Sequence, residues 1–314
     1  MSVLYNLKSL GLFTLIACSI PIIVLYYFVL LNYRGIAIFN RSFCNMRLSR
    51  KHMDDSNWVV LSEPEGKIYV IELSEGVSKI KGIGVIDTTA TLGQLEIGDS
   101  VQFGNKSFTR VVPRLTELTK GMKRRAQTIS AKDAGLFIAK LGIGPGDRVL
   151  EAGLGSAGLS MHIARSLGDS GFHVTVEPRS EHAEVGLENL RRAREMWPQF
   201  PTHHHVEGFI EEVVDDIKKH SESFDAIILD LPQHVPAIEA VAPLLSIGGR
   251  IACYCPVTSQ VELAWKACES AGLVVEWAGE LMERKWGMAS KGGMRPVNGA
   301  FGHTAFLLFA YRKQ

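Results

Sequence analysis

The stretch Asp147–Ser160, which reads D-R-V-L-E-A-G-L-G-S-A-G-L-S, decides the fold of this 314-residue chain. A short apolar run ends on an acid at Glu151, and apolar residues at helical spacing resume at Leu159. Glycines at positions 153, 155 and 158 separate the two runs. Because glycine allows a tight turn and a helix N-terminus offers unpaired N–H groups, the stretch predicts a strand, a ligand-binding turn and a helix.

The residues around the glycines narrow the choice of ligand. A phosphate-binding loop needs Gly-Lys-Ser/Thr, and no lysine lies here. The G-x-G-x-x-G spacing is compatible with a dinucleotide, but the Glu151 carboxylate would repel a pyrophosphate. That carboxylate could reach a cationic amino-acid group, so the stretch favours S-adenosylmethionine over NAD. A structural turn without a ligand is the remaining alternative.

Composition sets limits on the function. The formal net charge is only +1, so nucleic-acid binding must depend on local basic clusters. Three adjacent histidines, His203 to His205, suggest a metal site, but neighbours on a strand point to opposite faces, so we predict no metal. The cysteines are odd in number and form no C-x-x-C pair, which predicts reduced thiols in a cytoplasmic domain. They are Cys18, Cys44, Cys253, Cys255 and Cys268.

An uncharged, apolar segment of 25 residues lies near the N-terminus, from Ser9 to Tyr33. It is longer than the ~20 residues that cross a bilayer as a helix. Cations are more frequent after it than before it, so the positive-inside rule predicts a membrane anchor with the catalytic part facing the cytoplasm. The alternative is that translation starts at Met46 or Met53, so that the apolar segment within residues 1–52 is not translated and the protein is cytoplasmic.

The sequence of residues 53–115 predicts a small β domain, and a basic linker follows it. Four runs of β-forming residues are separated by turns rich in glycine, proline and acids. These runs are residues 58–61, 67–71, 83–86 and 107–111. Lys123, Arg124 and Arg125 then belong to a group of four cations within six residues. This group predicts a phosphate-contacting linker, and the alternative is a solvated face.

The remaining residues, 116–314, alternate strand and helix patterns and predict about seven strands in a doubly wound α/β sheet. The predicted second strand ends at Glu177, where a ribose diol would bind. A buried strand that begins at Phe224 ends at Asp230, on the sheet edge where the active sites of such folds lie. Asp230 is therefore the candidate catalytic residue.

Five segments occur in a fixed order along the chain: Gln127-x-Ile129-x-x-Lys132-Asp133-Ala134, Glu151-Ala-Gly-x-Gly-Ser156, Asp230-Leu-Pro, Thr258-x-Gln260-Val261 and Gly302-His-Thr-Ala-Phe306. Together they resemble the tRNA (adenine-58, N1)-methyltransferases of the class I S-adenosylmethionine-dependent superfamily. The resemblance covers roughly residues 58–313. It implies a seven-stranded sheet in the order 3-2-1-4-5-7-6, a preceding small β domain, a homotetramer, a tRNA substrate and S-adenosylmethionine as the methyl donor.

Carried over position by position, the resemblance implies a cofactor site and an RNA site. Asp230 would accept a hydrogen bond from the amino group of the target adenine, and Glu177 would bind the ribose hydroxyls. The implied cofactor-binding residues are Gln127, Glu151, Gly153, Gly155, Ser156, Ala157, Gly158, Leu159, Glu177, Gly208 and Asp230. The implied RNA-binding residues are Lys123, Arg124, Arg125 and His303.

The sequence departs from the family pattern at three places. Ser130 stands where an aromatic residue or a histidine is usual, and Gly208 lies near the place of an acid that contacts the cofactor adenine. Residues 233–235, Gln-His-Val, follow the aspartate motif in place of Pro-Trp. Other interpretations are a protein isoaspartyl methyltransferase, a non-catalytic tRNA-binding subunit and a membrane-anchored scaffold without activity.

Overall fold

The computed structural model describes residues 56–290, 292–297 and 302–314, and Ser56–Gln314 forms one compact unit. The apolar segment from Ser9 to Tyr33 and the two methionines considered as later starts lie outside the described residues. Within the described ranges, no helix combines the length and the apolar character needed to span a membrane. The membrane anchor and the later start therefore stay predictions.

The N-terminal part of this unit is built from short antiparallel strands. Its elements are β1 (Trp58–Ser62), β2 (Ile68–Glu72), β3 (Val77–Ile80), β4 (Gly84–Asp87), α1 (Thr88–Leu92), β5 (Ser100–Phe103) and β6 (Lys106–Arg110). One sheet has the order β2-β1-β6-β5, and β3 pairs with β4 in a separate ribbon. The four predicted strands are present. The sequence did not predict β3 and β5, because both alternate exposed and half-buried residues and neither forms a continuous apolar run.

A seven-stranded, mostly parallel sheet follows, with core layers on both of its faces. The helices are α2 (Leu115–Gly121), α3 (Ala131–Leu141), α4 (Gly158–Leu167), α5 (Ser180–Met196), α6 (Val214–Lys218), α7 (His234–Val241) and α8 (Thr258–Ser270). The strands are β7 (Arg148–Ala152), β8 (Phe172–Glu177), β9 (Thr202–Glu207), β10 (Phe224–Leu229), β11 (Leu245–Cys255) and β12 (Leu273–Gly279), then β13 (Trp286–Met288) and β14 (Met294–Pro296), which form a hairpin, and β15 (Phe306–Arg312).

The order of strands in this sheet is β9-β8-β7-β10-β11-β15-β12. Numbered along the chain, this is the order 3-2-1-4-5-7-6 that the resemblance implies. Strand β15 is antiparallel to both of its neighbours, whereas β7 to β11 run parallel to one another. The predicted fold class is confirmed. The hairpin of β13 and β14 was not predicted.

The ends of the parallel strands determine where a site can form. Leu150 and Val174 pack into one core layer, whereas Val149 packs into the other. Strands that are apolar on both faces are typical of a parallel sheet covered by helices. Because β7, β8 and β10 run in the same direction, their carboxyl ends lie at one edge. Glu177 and Asp230 therefore reach the same edge from different strands.

Candidate active site

The predicted glycine turn joins β7 to α4. Gly155 has φ +52°, a left-handed conformation that favours glycine. At two other positions of the turn, neighbouring atoms leave no room for a side chain larger than that of glycine. A Cβ atom on Gly153 would lie 3.0 Å from Oε2 of Glu177, and one on Gly158 would lie 2.9 Å from Cβ of Thr128. The turn therefore depends on the three glycines that the sequence singled out.

Two hydrogen-bond donors orient the side chain of Glu177 at the end of β8. The Gly155 N–H donates to Oε2 of Glu177 at 2.9 Å, and Nε of Arg179 donates to Oε1 at 2.7 Å. Burial opposes ionisation, but these hydrogen bonds outweigh it and hold the pKa of Glu177 below its ordinary value. Glu177 is thus an oriented anion beside the turn, and a carboxylate has lone pairs left for the hydroxyl groups of a ligand.

Asp230 directly follows β10 and adjoins the turn. The Gly153 N–H donates to the backbone carbonyl of Asp230 at 3.1 Å. Burial raises the pKa of the Asp230 carboxyl to about 7; the Glu151 and Glu177 carboxyls add to this rise, whereas Arg179 opposes it. A carboxyl that titrates near neutral pH beside a cavity is typical of a functional site.

Glu151 lies beneath the turn and is only 2% exposed. Ser160 Oγ donates to Oε1 of Glu151 at 2.9 Å, and Nε2 of His173 lies 2.9 Å from Oε2. Burial raises the pKa of Glu151 to about 8 and lowers the pKa of His173 to about 3, so it favours the uncharged form of each. A cation bound near the turn would favour the ionised form of Glu151 and of Asp230.

A cavity of about 310 Å³ opens at this edge of the sheet. Four of the predicted cofactor residues line it, namely Gly153, Glu177, Gly208 and Asp230. Phe209 also lines the cavity, and 55% of its surface is exposed, so an aromatic ring is available to a flat ligand. Phe209 was not predicted from the sequence, although its position just after the third strand of the sheet is a signal that could have indicated it. Further lining residues that were missed include Arg179, Glu211, Leu231, Pro232 and Gln233.

The other predicted cofactor residues form the turn or lie next to it. Glu151, Ser156, Ala157, Gly158 and Leu159 are buried, whereas Gln127 is exposed. Neither they nor Gly155 belong to the cavity wall. The buried residues of this group shape and support the turn, and Gln127 lies between Ala126 and Thr128, which contact it.

Two of the three predicted RNA-binding cations form ion pairs with α5. Nζ of Lys123 is 3.5 Å from Oε1 of Glu188, and Nη2 of Arg125 is 3.9 Å from Oε1 of Glu181. Both cationic side chains are 55% exposed. The third cation, Arg124, is also exposed. Exposed ion pairs of this kind contribute roughly 0 to 1 kcal/mol each, so a phosphate group can compete for these cations.

The predicted RNA contact His303 belongs to a different hydrogen-bonding network. Its Nδ1 lies 2.9 Å from Oε2 of Glu280, and its Nε2 lies 3.1 Å from the carbonyl oxygen of Pro256. The hydrogen bond to Glu280 raises the pKa of His303, which favours the imidazolium form. His303 is exposed, close to the carboxyl end of β11.

The three adjacent histidines diverge, as expected on a strand. His203 and His205 lie 3.0 and 3.1 Å from Oγ1 of Thr175, whereas His204 stacks on His220 with 4.3 Å between the ring centroids. In the part of the chain that the structure describes, no three His, Cys, Asp or Glu side chains are grouped to hold a metal ion.

The sheet order, the glycine turn after the first strand and the acids at the ends of the second and fourth strands define a class I methyltransferase fold. The sequence model of the family described as the tRNA methyltransferase complex GCD14 subunit matches residues 108–288. This range is more than half of the chain, and the protein belongs to this family. The family that the sequence predicted is confirmed.

Named relatives and a solved structure agree with this assignment. The chain is 29% identical over 270 residues to a tRNA (adenine(57)-N(1)/adenine(58)-N(1))-methyltransferase, TrmI, from Methanocaldococcus jannaschii, covering 80% of this chain and 93% of the relative. It is 32% identical over 196 residues to tRNA (adenine(58)-N(1))-methyltransferase TrmI from Thermus thermophilus, covering 62% and 73%. Among solved structures, an S-adenosylmethionine-dependent O-methyltransferase from Thermotoga maritima superimposes with a TM-score of 0.67 at 25% identity, covering 82% of this chain and 93% of that one.

Proposed function

We propose that this protein transfers the methyl group of S-adenosylmethionine to N1 of adenine-58 in the T loop of tRNA. The observation that carries the proposal is the cavity with Glu177 and Asp230 on its wall, in a chain of this family. The relatives from Methanocaldococcus jannaschii and Thermus thermophilus are named for this reaction.

The residues around the cavity fit S-adenosylmethionine. Glu177 is an oriented anion suited to a ribose diol, and the exposed ring of Phe209 suits a purine. Glu151 and Asp230 have raised pKa values, and a cationic ligand would stabilise their ionised forms. A pyrophosphate would meet repulsion from the ionised Glu177 carboxylate on the cavity wall. S-adenosylmethionine supplies a methyl group on a positively charged sulfur, which is open to in-line attack by a nitrogen lone pair.

The protein's own groups have three tasks in this reaction. The ionised Asp230 carboxyl accepts a hydrogen bond from the adenine N6 amino group, which orients N1 and adds electron density to the ring. N1 carries a free lone pair, so no strong base is needed. The cavity, once both ligands fill it, holds the reacting atoms in line and excludes water.

The target base has to leave its stack, at a cost of a few kcal/mol. Contacts to the tRNA backbone offset this cost. Lys123, Arg124 and Arg125 are suited to such contacts because they are exposed and adjoin the glycine turn. His303 adds a favoured imidazolium at the same edge of the sheet.

We also propose an assembly, a location and domain limits, which follow from the family resemblance. They are a homotetramer, a cytoplasmic catalytic part, and separate domains at residues 53–115 and 116–314. The support for separate domains is that the two parts have distinct sheets, although Trp58 and Val60 of β1 pack with Met161 and Leu190 in one shared core cluster. Methylation of adenine-57 is a second possible reaction, because the relative from Methanocaldococcus jannaschii is named for both positions.

A non-catalytic tRNA-binding subunit is the main alternative, and the intact glycine turn and cavity argue against it. The deciding experiment uses a tRNA transcript and radiolabelled S-adenosylmethionine, with the methylated base mapped. Transcripts in which adenine-58 or adenine-57 is replaced by guanine separate the two positions. We expect label on adenine-58 with the wild type and none with Asp230→Ala. No incorporation by a wild-type protein that binds both ligands would favour the non-catalytic alternative.

A further inference from the structure

Residues 122–130 connect α2 to α3 without regular secondary structure, and we call them the strap. The strap lies directly against the glycine turn. Thr128 is the side chain that leaves no room for a Cβ on Gly158, and Cβ of Ala126 would lie 3.6 Å from a Cβ on Gly155. The strap also carries the three cations proposed to contact tRNA. It therefore contacts the cofactor turn and holds the RNA-binding residues.

One buried side chain of α5 binds the strap and the turn together. Asn189 is 2% exposed, and its Nδ2 donates to the carbonyl oxygen of Lys123 at 2.8 Å and to that of Ser156 at 3.0 Å. The Lys123 N–H donates in turn to Oδ1 of Asn189 at 3.0 Å. Both donors and the acceptor of the carboxamide are thus used, and they join two separate segments of the chain.

The turn provides a second connection from its own side. Oγ of Ser156 accepts hydrogen bonds from the N–H groups of Arg125 and Ala126, each at 3.1 Å. These bonds involve the backbone of the strap, so they do not use its cationic groups. Binding of RNA phosphates to Lys123 and Arg125 would displace the ion pairs of these side chains with α5. The hydrogen bonds of the strap backbone to Asn189 and Ser156 would stay in place.

We propose that Asn189 is a positioning residue that couples tRNA binding to cofactor binding. The inference rests on the proposed function, because it assigns the strap to tRNA and the turn to S-adenosylmethionine. Ordering of the turn by the cofactor places the strap for tRNA through Asn189, and tRNA on the strap favours the same turn geometry. Such coupling is reciprocal, so each ligand changes the affinity of the other by the same factor.

The test measures this factor on the full chain with S-adenosylhomocysteine, which permits binding without turnover. The dissociation constant of a tRNA transcript is measured with and without saturating S-adenosylhomocysteine, and the dissociation constant of S-adenosylhomocysteine with and without tRNA. We expect the wild type to show tightening of about 5-fold or more in both directions. In Asn189→Ala the factor should fall towards one, although each ligand alone still binds.

Two further variants and a control make the result specific. Asn189→Asp keeps the acceptor for the Lys123 N–H but loses both donors. Ser156→Ala loses the acceptor for the Arg125 and Ala126 N–H groups and the hydroxyl that donates to the Ala126 carbonyl at 3.4 Å. Each should reduce the factor partially, and both remain informative if Asn189→Ala does not fold in a thermal unfolding test. Glu184→Ala, an exposed change on the same helix, should leave the factor unchanged.

The possible results separate the inference from the proposed function. If the wild type binds both ligands without coupling, or if the Asn189 and Ser156 variants keep the full factor, the inference is overturned and the proposed function stands. If the wild type binds neither tRNA nor S-adenosylhomocysteine, both are overturned.

Discussion

Replacing Asp230 with asparagine should abolish methyl transfer and yet stabilise the folded protein increasingly as the pH rises. In the folded protein the pKa of this carboxyl is about 7, compared with an ordinary value of 3.8. Below about pH 4 the carboxyl is protonated in both the folded and the unfolded state, so it does not favour either. Above this pH the unfolded state loses the proton first, and the carboxyl therefore destabilises the fold by an amount that grows until the pH passes about 7 and then stays constant.

The magnitude follows from the two pKa values. A rise of about 3 pKa units corresponds to about 4 kcal/mol of unfolding free energy once the pH exceeds 7. Part of this difference is already present at pH 5, so about 2 to 3 kcal/mol should develop between pH 5 and pH 8. Asparagine has nearly the same shape and does not titrate, so its advantage over the wild type should grow by this amount.

Urea unfolding of both proteins at pH 5, 6, 7 and 8, followed by circular dichroism, measures this difference. The matched control is Asp225→Asn at the other end of β10, where the carboxylate accepts the Arg148 N–H at 2.9 Å. That variant should not be more stable than the wild type, because it weakens a hydrogen bond that the folded protein makes. A difference between the wild type and Asp230→Asn that does not change with pH would refute the argument from burial. Near-normal methyl transfer by Asp230→Asn would refute the catalytic role.

The remaining predictions concern ligands and domain limits. Lys123, Arg124 and Arg125 changed together to glutamate should weaken tRNA binding and reduce its salt dependence, and equal affinity at several salt concentrations would mean a merely solvated face. Phe209→Ala should weaken binding of S-adenosylhomocysteine in calorimetry without changing tRNA affinity; unchanged cofactor binding would remove Phe209 from the site. The wild-type kcat/KM should rise with pH to a plateau above about 7, because the acceptor-side carboxyl must ionise, and a flat profile would contradict this. A chain that begins at Met53 should fold, bind cofactor and methylate tRNA, and aggregation of this shortened chain would mean that the fold needs the preceding residues.

Local chemistry explains which parts of the fold could be predicted. The glycine turn was predictable because its requirements, tight space and a left-handed φ, act on residues close together in the chain. The apolar runs of the parallel strands were predictable because burial on both faces leaves a continuous pattern. The strands β3 and β5 lack such a run, and only their pairing with neighbours defines them.

The parts of the site that could not be predicted depend on distant contacts. Glu151 ends an apolar run that adjoins the turn, yet its side chain points into the protein towards Ser160 and His173. The sequence does not reveal that Ser160 of α4 and His173 of β8 lie next to this side chain. Similarly, the carboxylate near Lys123 belongs to Glu188, which lies 65 positions further along the chain.

The position of β15 has a consequence for how the protein is made. It is the last described strand along the chain, yet in the sheet it lies between β11 and β12. Its residues Leu307, Leu308 and Phe309 are fully buried. During synthesis β12 therefore leaves the ribosome before the strand that pairs with it exists, and the apolar edge of β11 stays open until β15 emerges. Open apolar edges are prone to aggregate, so the nascent chain needs protection at this stage, and a premature stop before Phe306 would remove an internal strand of the sheet.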